Sequence, residues 1–261
     1  MATAAAPISP IRFLQLLADD QRWQLVRELA RSDRKVSELT ELVDRPQNLV
    51  SYHLASLRNA GVVSARRSSA DRRDAYYRLD IRRCGDLLSQ VGSAIQPALR
   101  LGVTLPQPSG ATRRRPSVLF LCTGNSTRSQ MAEALLEHYS AGAIRASSGG
   151  SHPKPLHPNT VRVMAERGID VSMRKSKHLD RFREARFDRV VTLCDRVREI
   201  CPEFPRAAAV AHWSMPDPAS EGTTDDASYP AFVRTAAELE ERMPFLIGEL
   251  TLSTERGKPH D

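Results

Sequence analysis

Cysteine is scarce in this chain of 261 residues, with four in all: Cys84, Cys122, Cys194 and Cys201. So few thiols exclude a disulfide scaffold and suit a reducing compartment, which makes each one a candidate for chemistry. Long apolar runs are missing too. None approaches the ~20 residues that a bilayer-spanning helix needs, so no membrane partner is expected. Met1 to Pro10 is Ala-rich but has neither a basic nor an apolar stretch, so it does not read as a secretory signal, and a cytoplasmic location is expected. No long-period repeat indicates a solenoid. His152, His157 and His212 lack the clustered carboxylates or thiols of a metal centre, so no metal site and no tightly bound cofactor are expected.

What is present is ordinary globular composition, 41% hydrophobic and 26% charged, with an uneven charge. The first 116 residues hold 19 Lys and Arg against 11 Asp and Glu, while the rest hold 19 against 20. The whole excess behind the net charge of +7 therefore lies in the N-terminal part, which is expected to meet a polyanion. The composition breaks at 101–116, LGVTLPQPSGATRRRP, where three prolines, two glycines and an Arg triplet read as a linker.

Before the linker the apolar spacing is mainly helical. Phe13, Leu14, Leu16 and Leu17 begin one helix, and Trp23, Leu25, Val26 and Leu29 mark a second, capped by Asp19 or Asp20. Val36–Val43 predicts a short third helix, Asp44-Arg-Pro46 a break, and Gln47 to Ala60 a fourth helix stopped by Gly61. Leu49, Leu54 and Leu57 are expected to pack inward. A short helix, a tight break and a second helix form a helix-turn-helix. Two extended runs, Val62 to Arg66 and Ala75 to Leu79, flank a polar tip at 67–74, which makes a winged helix. A further helix is expected over Asp80 to Leu99, with Leu87, Leu88, Val91 and Ile95 on one stripe.

After the linker, strand and helix alternate: strands over Val118 to Cys122, Ala143 to Ser147, Phe187 to Leu193 and Ala207 to His212. Helices are expected over Ser129 to Tyr139, Pro158 to Arg167 and Tyr229 to Leu250. This predicts an α/β domain with a four-stranded parallel sheet flanked by helices, its site at the carboxyl ends of the strands. The expected division is a mainly α winged helix-turn-helix domain at 1–100, the linker, a catalytic domain at 117–251 and a flexible tail at 252–261.

The chemistry concentrates at the end of the first of these strands, in Cys122-Thr-Gly-Asn-Ser-Thr-Arg-Ser129. A loop of this length at a strand-to-helix junction can aim the amides of Thr123, Gly124, Asn125, Ser126 and Thr127 at one point, with the helix N-terminus adding positive potential. Arg128 supplies a fork matched to a tetrahedral oxyanion. The same field would favour a nucleophilic Cys122 thiolate, to which Ser129 could donate.

The stretch VLFLCTGNSTRSQMAEALL resembles the signature of the low-molecular-weight protein tyrosine phosphatase superfamily, which includes one class of arsenate reductases. The resemblance runs from Ser117 to about Leu250. It implies a general acid at an aspartate before proline, here Asp217-Pro218. The relatives that act on phosphotyrosine usually carry an aromatic just after this pair, whereas this chain has Ala219-Ser220. Thr127 stands where relatives often have a second cysteine.

Two further thiols, Cys194 and Cys201, lie seven residues apart in VVTLCDRVREICPEFP. Ester hydrolysis needs one nucleophilic cysteine, so the pair is surplus for a phosphatase, whereas arsenate reduction needs two electrons that a thiol cascade can supply. The flanking VTLC and CP resemble those of thioredoxin-coupled arsenate reductases. What this implies is attack by Cys122 on arsenate, then by Cys194 on Cys122, then by Cys201 on Cys194, with an external thiol reductant, thioredoxin, resetting the enzyme. A phosphatase with the same N-terminal module and a non-catalytic oxyanion-sensing regulator remain the alternatives.

Residues 11 to about 98 resemble the winged-helix repressors of the arsenic-responsive regulator family, carried by Gln47-Asn-Leu-Val-Ser-Tyr-His-Leu54, Leu57-Arg-Asn-Ala-Gly-Val-Val63 and Tyr76-Tyr-Arg-Leu79. The resemblance implies DNA binding and a homodimer through this domain. Gln47, Asn48, Ser51 and Tyr52 would face the major groove, His53 a phosphate or a base, and Arg72 and Arg73 of the wing tip the backbone or minor groove. The paired cysteines of many family sensors are missing from 37–44, and Cys84, the module's only thiol, is expected to be structural.

Overall fold

The computed structural model describes residues 8–99, 115–200, 204 and 206–256. Nearly all of the expected linker, Cys201, and 257–261 of the expected tail lie outside the described residues. The chain divides into two compact units, Met1–Thr104 and Leu105–Asp261.

The first unit begins with α1 (Pro10–Leu17) and α2 (Asp20–Arg31). Asp19 caps α2 by accepting from the amides of Gln21 and Arg22 at 3.1 and 2.9 Å. The latter bond leads in holding its carboxyl below the usual range. A two-residue strand, β1 (Arg34–Lys35), leads into α3 (Val36–Val43), which ends where Asp44 turns into the left-handed region at φ 49°. The turn closes at Pro46, whose carbonyl accepts from Leu49 and Val50 to start α4 (Gln47–Asn59). The wing is β2 (Val63–Arg67) and β3 (Ala75–Leu79), antiparallel, with β1 added to the far edge of β3. Phe13, Leu25, Leu39, Leu54, Leu57 and Val62 fill the core.

Three expectations change here. The inward stripe of α4 is Val50, His53, Leu54 and Leu57, all buried, while Leu49 is half-buried; these positions follow the i, i+3, i+4, i+7 spacing of one helical face. Trp23 of α2 is exposed. The helix after the wing, α5 (Ile81–Ile95), stops short of Leu99, and a 3₁₀ turn takes up Pro97–Leu99. Because α5 packs chiefly on α1, Leu87 is buried while Leu88 and Ile95 stay exposed at 45% and 73%.

The second unit is the expected parallel sheet, in the order β5-β4-β6-β7. Its strands are β4 (Ser117–Cys122), β5 (Arg145–Gly150), β6 (Arg189–Thr192) and β7 (Val210–His212). Helices α6 (Arg128–Tyr139), α7 (Pro158–Ala165) and α8 (Asp195–Ile200) connect them, and α9 (Asp225–Arg256) closes the unit. Helix α9 runs five residues past the expected end of the domain, so 252–256 are helix rather than tail. Val118 to Leu121 are fully buried, as a strand covered on both faces requires. The chain leaves β4 toward β5 on one side and returns to β6 on the other. The connections therefore diverge at the carboxyl end of β4, where Cys122 stands, the place at which doubly wound sheets form their sites.

Candidate active site and nucleic-acid interface

The loop after β4 is held from outside by its carbonyls. Thr123 and Gly124 oxygens accept from the amides of His152 and Lys154, both at 2.9 Å, and that of Ser126 from the amide of His157 at 3.1 Å. The Asn125 carbonyl takes the Ser176 hydroxyl at 2.8 Å, and Thr160 adds a second bond to Ser126 at 3.0 Å. In a trans peptide the next N–H points opposite its carbonyl, so the amides of 124–127 turn inward. That of Asn125 reaches Cys122 Sγ at 3.2 Å. The result is a set of inward-turned amide donors around Cys122, an arrangement of the kind that makes a concave nest.

The Ser129 hydroxyl lies 3.0 Å from Cys122 Sγ. Its oxygen accepts from Asn125 Nδ2 at 2.9 Å, which leaves its hydrogen for the sulfur. The sequence reading assigned the Asn125 amide to the loop's interior and gave its side chain no role. That side chain sits at the centre of a buried network, donating also to Ser148 (2.8 Å) and accepting from the Lys177 amide (2.6 Å) and Gln130 (3.3 Å). Ser148 passes the network to Glu133, which Lys177 Nζ meets at 3.0 Å. Thr127 is likewise turned to a protein partner, the Thr160 hydroxyl at 3.2 Å. Both side chains are thus engaged with protein partners, and only their amides are left to face the loop's interior.

Arg128 opens α6 and is 5% exposed. One arm donates to the Met215 carbonyl at 3.0 Å and the other lies 3.5 Å from Asp217 Oδ2, while Nε has no partner among the described residues. Burial opposes its charge, but Cys194, Cys122, Asp217 and Asp195 outweigh that and raise its pKa. Asp217 starts a 3₁₀ turn over Pro218–Ser220 and its carboxylate is 53% exposed, at the solvent side of the guanidinium. Cys194, at the junction of β6 and α8, is brought to the same loop: its Sγ is 3.3 Å from the Thr123 hydroxyl. Burial pushes the Cys194 thiol up, with Arg128 as the main opposing influence. Cys201 lies outside the described residues.

Gly150, which the sequence reading passed over, is required under the loop. A Cβ there would come within 2.6 Å of the Thr123 carbonyl and 2.8 Å of the Asn125 amide. The Gly-Gly pair at the end of β5 was the available signal for such close backbone approach.

A profile described as low molecular weight phosphotyrosine protein phosphatase matches residues 117–256. The chain belongs to that family. Its second unit is also similar to proteins described as arsenate reductase, one from Halalkalibacterium halodurans and one from Shouchella clausii. The first is 37% identical over 126 residues and the second 39% over 128, each match covering 48% of this chain and 91% of the relative. A crystal structure described as arsenate reductase from Archaeoglobus fulgidus is 32% identical, with 50% of this chain and 98% of that one covered at a TM-score of 0.42. A second profile, bacterial regulatory protein of the arsR family, matches residues 19–65, from α2 into β2.

In that regulator-type unit Gln47, Asn48, Ser51 and Tyr52 all face solvent on α4, Tyr52 with 64% exposure. His53 does not. It is buried, with Nδ1 3.7 Å from Asp19 Oδ1, and so does not present its ring to a DNA phosphate or base; one position along a helix turns a side chain by about 100°, from the exposed face to the core. Arg72 and Arg73 are exposed at the wing tip, but Arg73 already holds Asp71 at 2.7 Å, and that bond drives the Asp71 carboxyl down to about 2. A recess of about 510 Å³ between α4 and the wing adds basic residues that the sequence reading missed, lined by Lys35, Arg58, Arg66 and Arg67 beside Gln47 and Arg73. Their signal was the Arg pair at the end of β2.

Cys84 is mostly buried on α5, and desolvation lifts its thiol to about 12. In the folded chain it is expected to resist iodoacetamide at pH 8 for hours while denatured protein labels at once, a difference that peptide mass spectrometry reads directly.

Proposed function

We propose that this chain reduces arsenate to arsenite by a thiol–disulfide cascade and binds DNA through its N-terminal unit. The observation that carries the first part is a second thiol, Cys194, held against the same oxyanion loop that presents Cys122. Loop amides of 123–129 and the Arg128 fork hold the oxyanion while Cys122 attacks arsenic. Asp217 protonates the departing oxygen, which leaves as water. Cys194 then attacks the Cys122 sulfur. An S–S bond forms, the As–S bond breaks with its electron pair passing to arsenic, and arsenite leaves. Cys201 next displaces Cys122, moving the disulfide to Cys194–Cys201. The balance is one arsenate and two thiols to one arsenite, one disulfide and water. An external dithiol, thioredoxin, then restores the thiols. Arsenate turnover coupled to thioredoxin, lost in Cys194→Ser and Cys201→Ser, is the expected result; hydrolysis of phosphate esters indifferent to both cysteines would make the protein a phosphatase.

DNA is the proposed partner of the first unit, read by Gln47, Asn48, Ser51 and Tyr52 and gripped by Arg72, Arg73 and the basic recess. Helices α1 and α5 pack together and leave Ile11, Leu14, Leu88 and Ile95 exposed, which supports a homodimer through this unit. No helix among the described residues is long and apolar enough to cross a membrane, and the thiol chemistry assigns the protein's work to the cytoplasm. Each phosphate contact is expected to add about 0.9 to the slope of log affinity against log salt. Asp71→Ala frees Arg73 and removes a like charge from the phosphates. It is expected to tighten binding about two- to fivefold at low salt, with the gain fading as salt rises. Fluorescence anisotropy checks both; unchanged or weaker binding contradicts the wing contact.

A further inference from the structure

Behind Cys194, at the carboxyl ends of β6 and β7, lies a polar cluster that the cascade does not use. Asp195 and His212 are fully buried, and Thr192 and Ser214 nearly so. His212 Nδ1 is 2.8 Å from Thr192 Oγ1 and 3.1 Å from the Thr192 carbonyl. A carbonyl only accepts, and the Thr192 hydroxyl faces the Ala211 carbonyl at 3.5 Å, so Nδ1 carries a hydrogen. Nε2 is 3.0 Å from Asp195 Oδ1, and one proton lies on that line whether the pair is imidazolium–carboxylate or imidazole–carboxylic acid. The Ser214 hydroxyl donates to the same oxygen at 2.6 Å.

Asp195 follows Cys194 directly and opens α8, whose first turn is closed by the Arg198 amide on the Cys194 carbonyl at 3.2 Å. The cluster thus ties the turn that carries Cys194 to the segment 212–217, which also supplies the Met215 carbonyl to Arg128. A carboxylate this close to Cys194 would oppose formation of its thiolate; the His212 proton cancels that charge where it sits.

We propose that His212 and Asp195 are positioning residues for the second thiol: their shared proton clamps the first turn of α8 to the end of β7 and so holds Cys194 Sγ against Thr123. This rests on the proposed cascade.

The test compares His212→Leu, His212→Gln, which keeps an N–H toward Asp195, and Asp195→Asn, which keeps the shape. His212→Leu and Asp195→Asn are expected to lower kcat for arsenate-dependent thiol oxidation about tenfold or more, with KM for arsenate within about twofold. His212→Gln is expected to recover most of the loss. Iodoacetamide labelling of the full chain, read by peptide mass spectrometry, is expected to quicken several-fold at Cys194 while inorganic phosphate still protects Cys122. Equal damage to Cys122 protection in all three variants, or unchanged labelling and turnover at Cys194, overturns the clamp. If wild-type protein reduces no arsenate yet Cys194 labelling responds as stated, the cascade fails and the clamp stands.

Discussion

Arg128→Lys is expected to lower kcat/KM for arsenate by roughly 10²–10³-fold, the loss typical of removing a main donor to a developing oxyanion. Lysine keeps a charge but not the fork. The guanidinium reaches the Met215 carbonyl with one arm and Asp217 with the other and keeps Nε unpartnered among the described residues. A planar group can meet those fixed partners and still offer parallel donors to a tetrahedral anion, whereas an ammonium offers a single point of charge. Steady-state kinetics with an external dithiol measures the effect. A loss below about threefold would mean that the loop amides alone hold the anion.

The second large effect is expected at a residue that touches no substrate through its side chain. Asn125→Ala is expected to destabilise the second unit by about 3–5 kcal/mol, because it removes one hydrogen bond from each of four partners at once, each lost bond costing about 1–3 kcal/mol before relaxation. Those partners are Ser129, Ser148, the Lys177 amide and Gln130. Asn125 also sits at φ 44°, a region asparagine tolerates better than alanine. Asn125→Gly separates the two causes, since it removes the side chain but relieves the backbone. Urea denaturation of both variants is expected to show glycine recovering only the smaller, conformational part. If glycine restores wild-type stability, the network contributes nothing net.

How much of this was legible in the sequence follows from the range of each signal. The apolar run from Val118 to Leu121 and its junction with a glycine-bearing loop announce a buried parallel strand and an anion site. Both signals depend on neighbours in sequence; the strand stands where expected, and the loop after it turns an amide to the Cys122 sulfur. The wing sheet's third strand was not legible, because Arg34 and Lys35 are too few to show a period and owe their pairing to Tyr77 and Tyr76 more than forty residues away. The orientation of Asn125 was equally hidden: its partners come from three places in the chain, and only the fold shows that its amide hydrogen serves the sulfur while its side chain serves the interior. His53 was legible but misread. The spacing of Val50, Leu54 and Leu57 already placed position 53 on the inward face. The Asp195–His212 pair left no sequence signal, since its members are joined only by the register of β6 with β7.

Two thiols in one oxyanion site are proposed to carry two electrons to arsenate. Single-turnover stoichiometry tests this most directly. Fully reduced protein is mixed with limiting arsenate and no external reductant, and arsenite, free thiols and disulfide-linked peptides are counted together. The expected result is one arsenite and two lost thiols per arsenate, with the disulfide mapped to Cys194–Cys201 in wild type and trapped as Cys122–Cys194 in Cys201→Ser. Intact thiols with arsenate unreduced would contradict it and leave the loop of Cys122 to ester hydrolysis or to anion sensing.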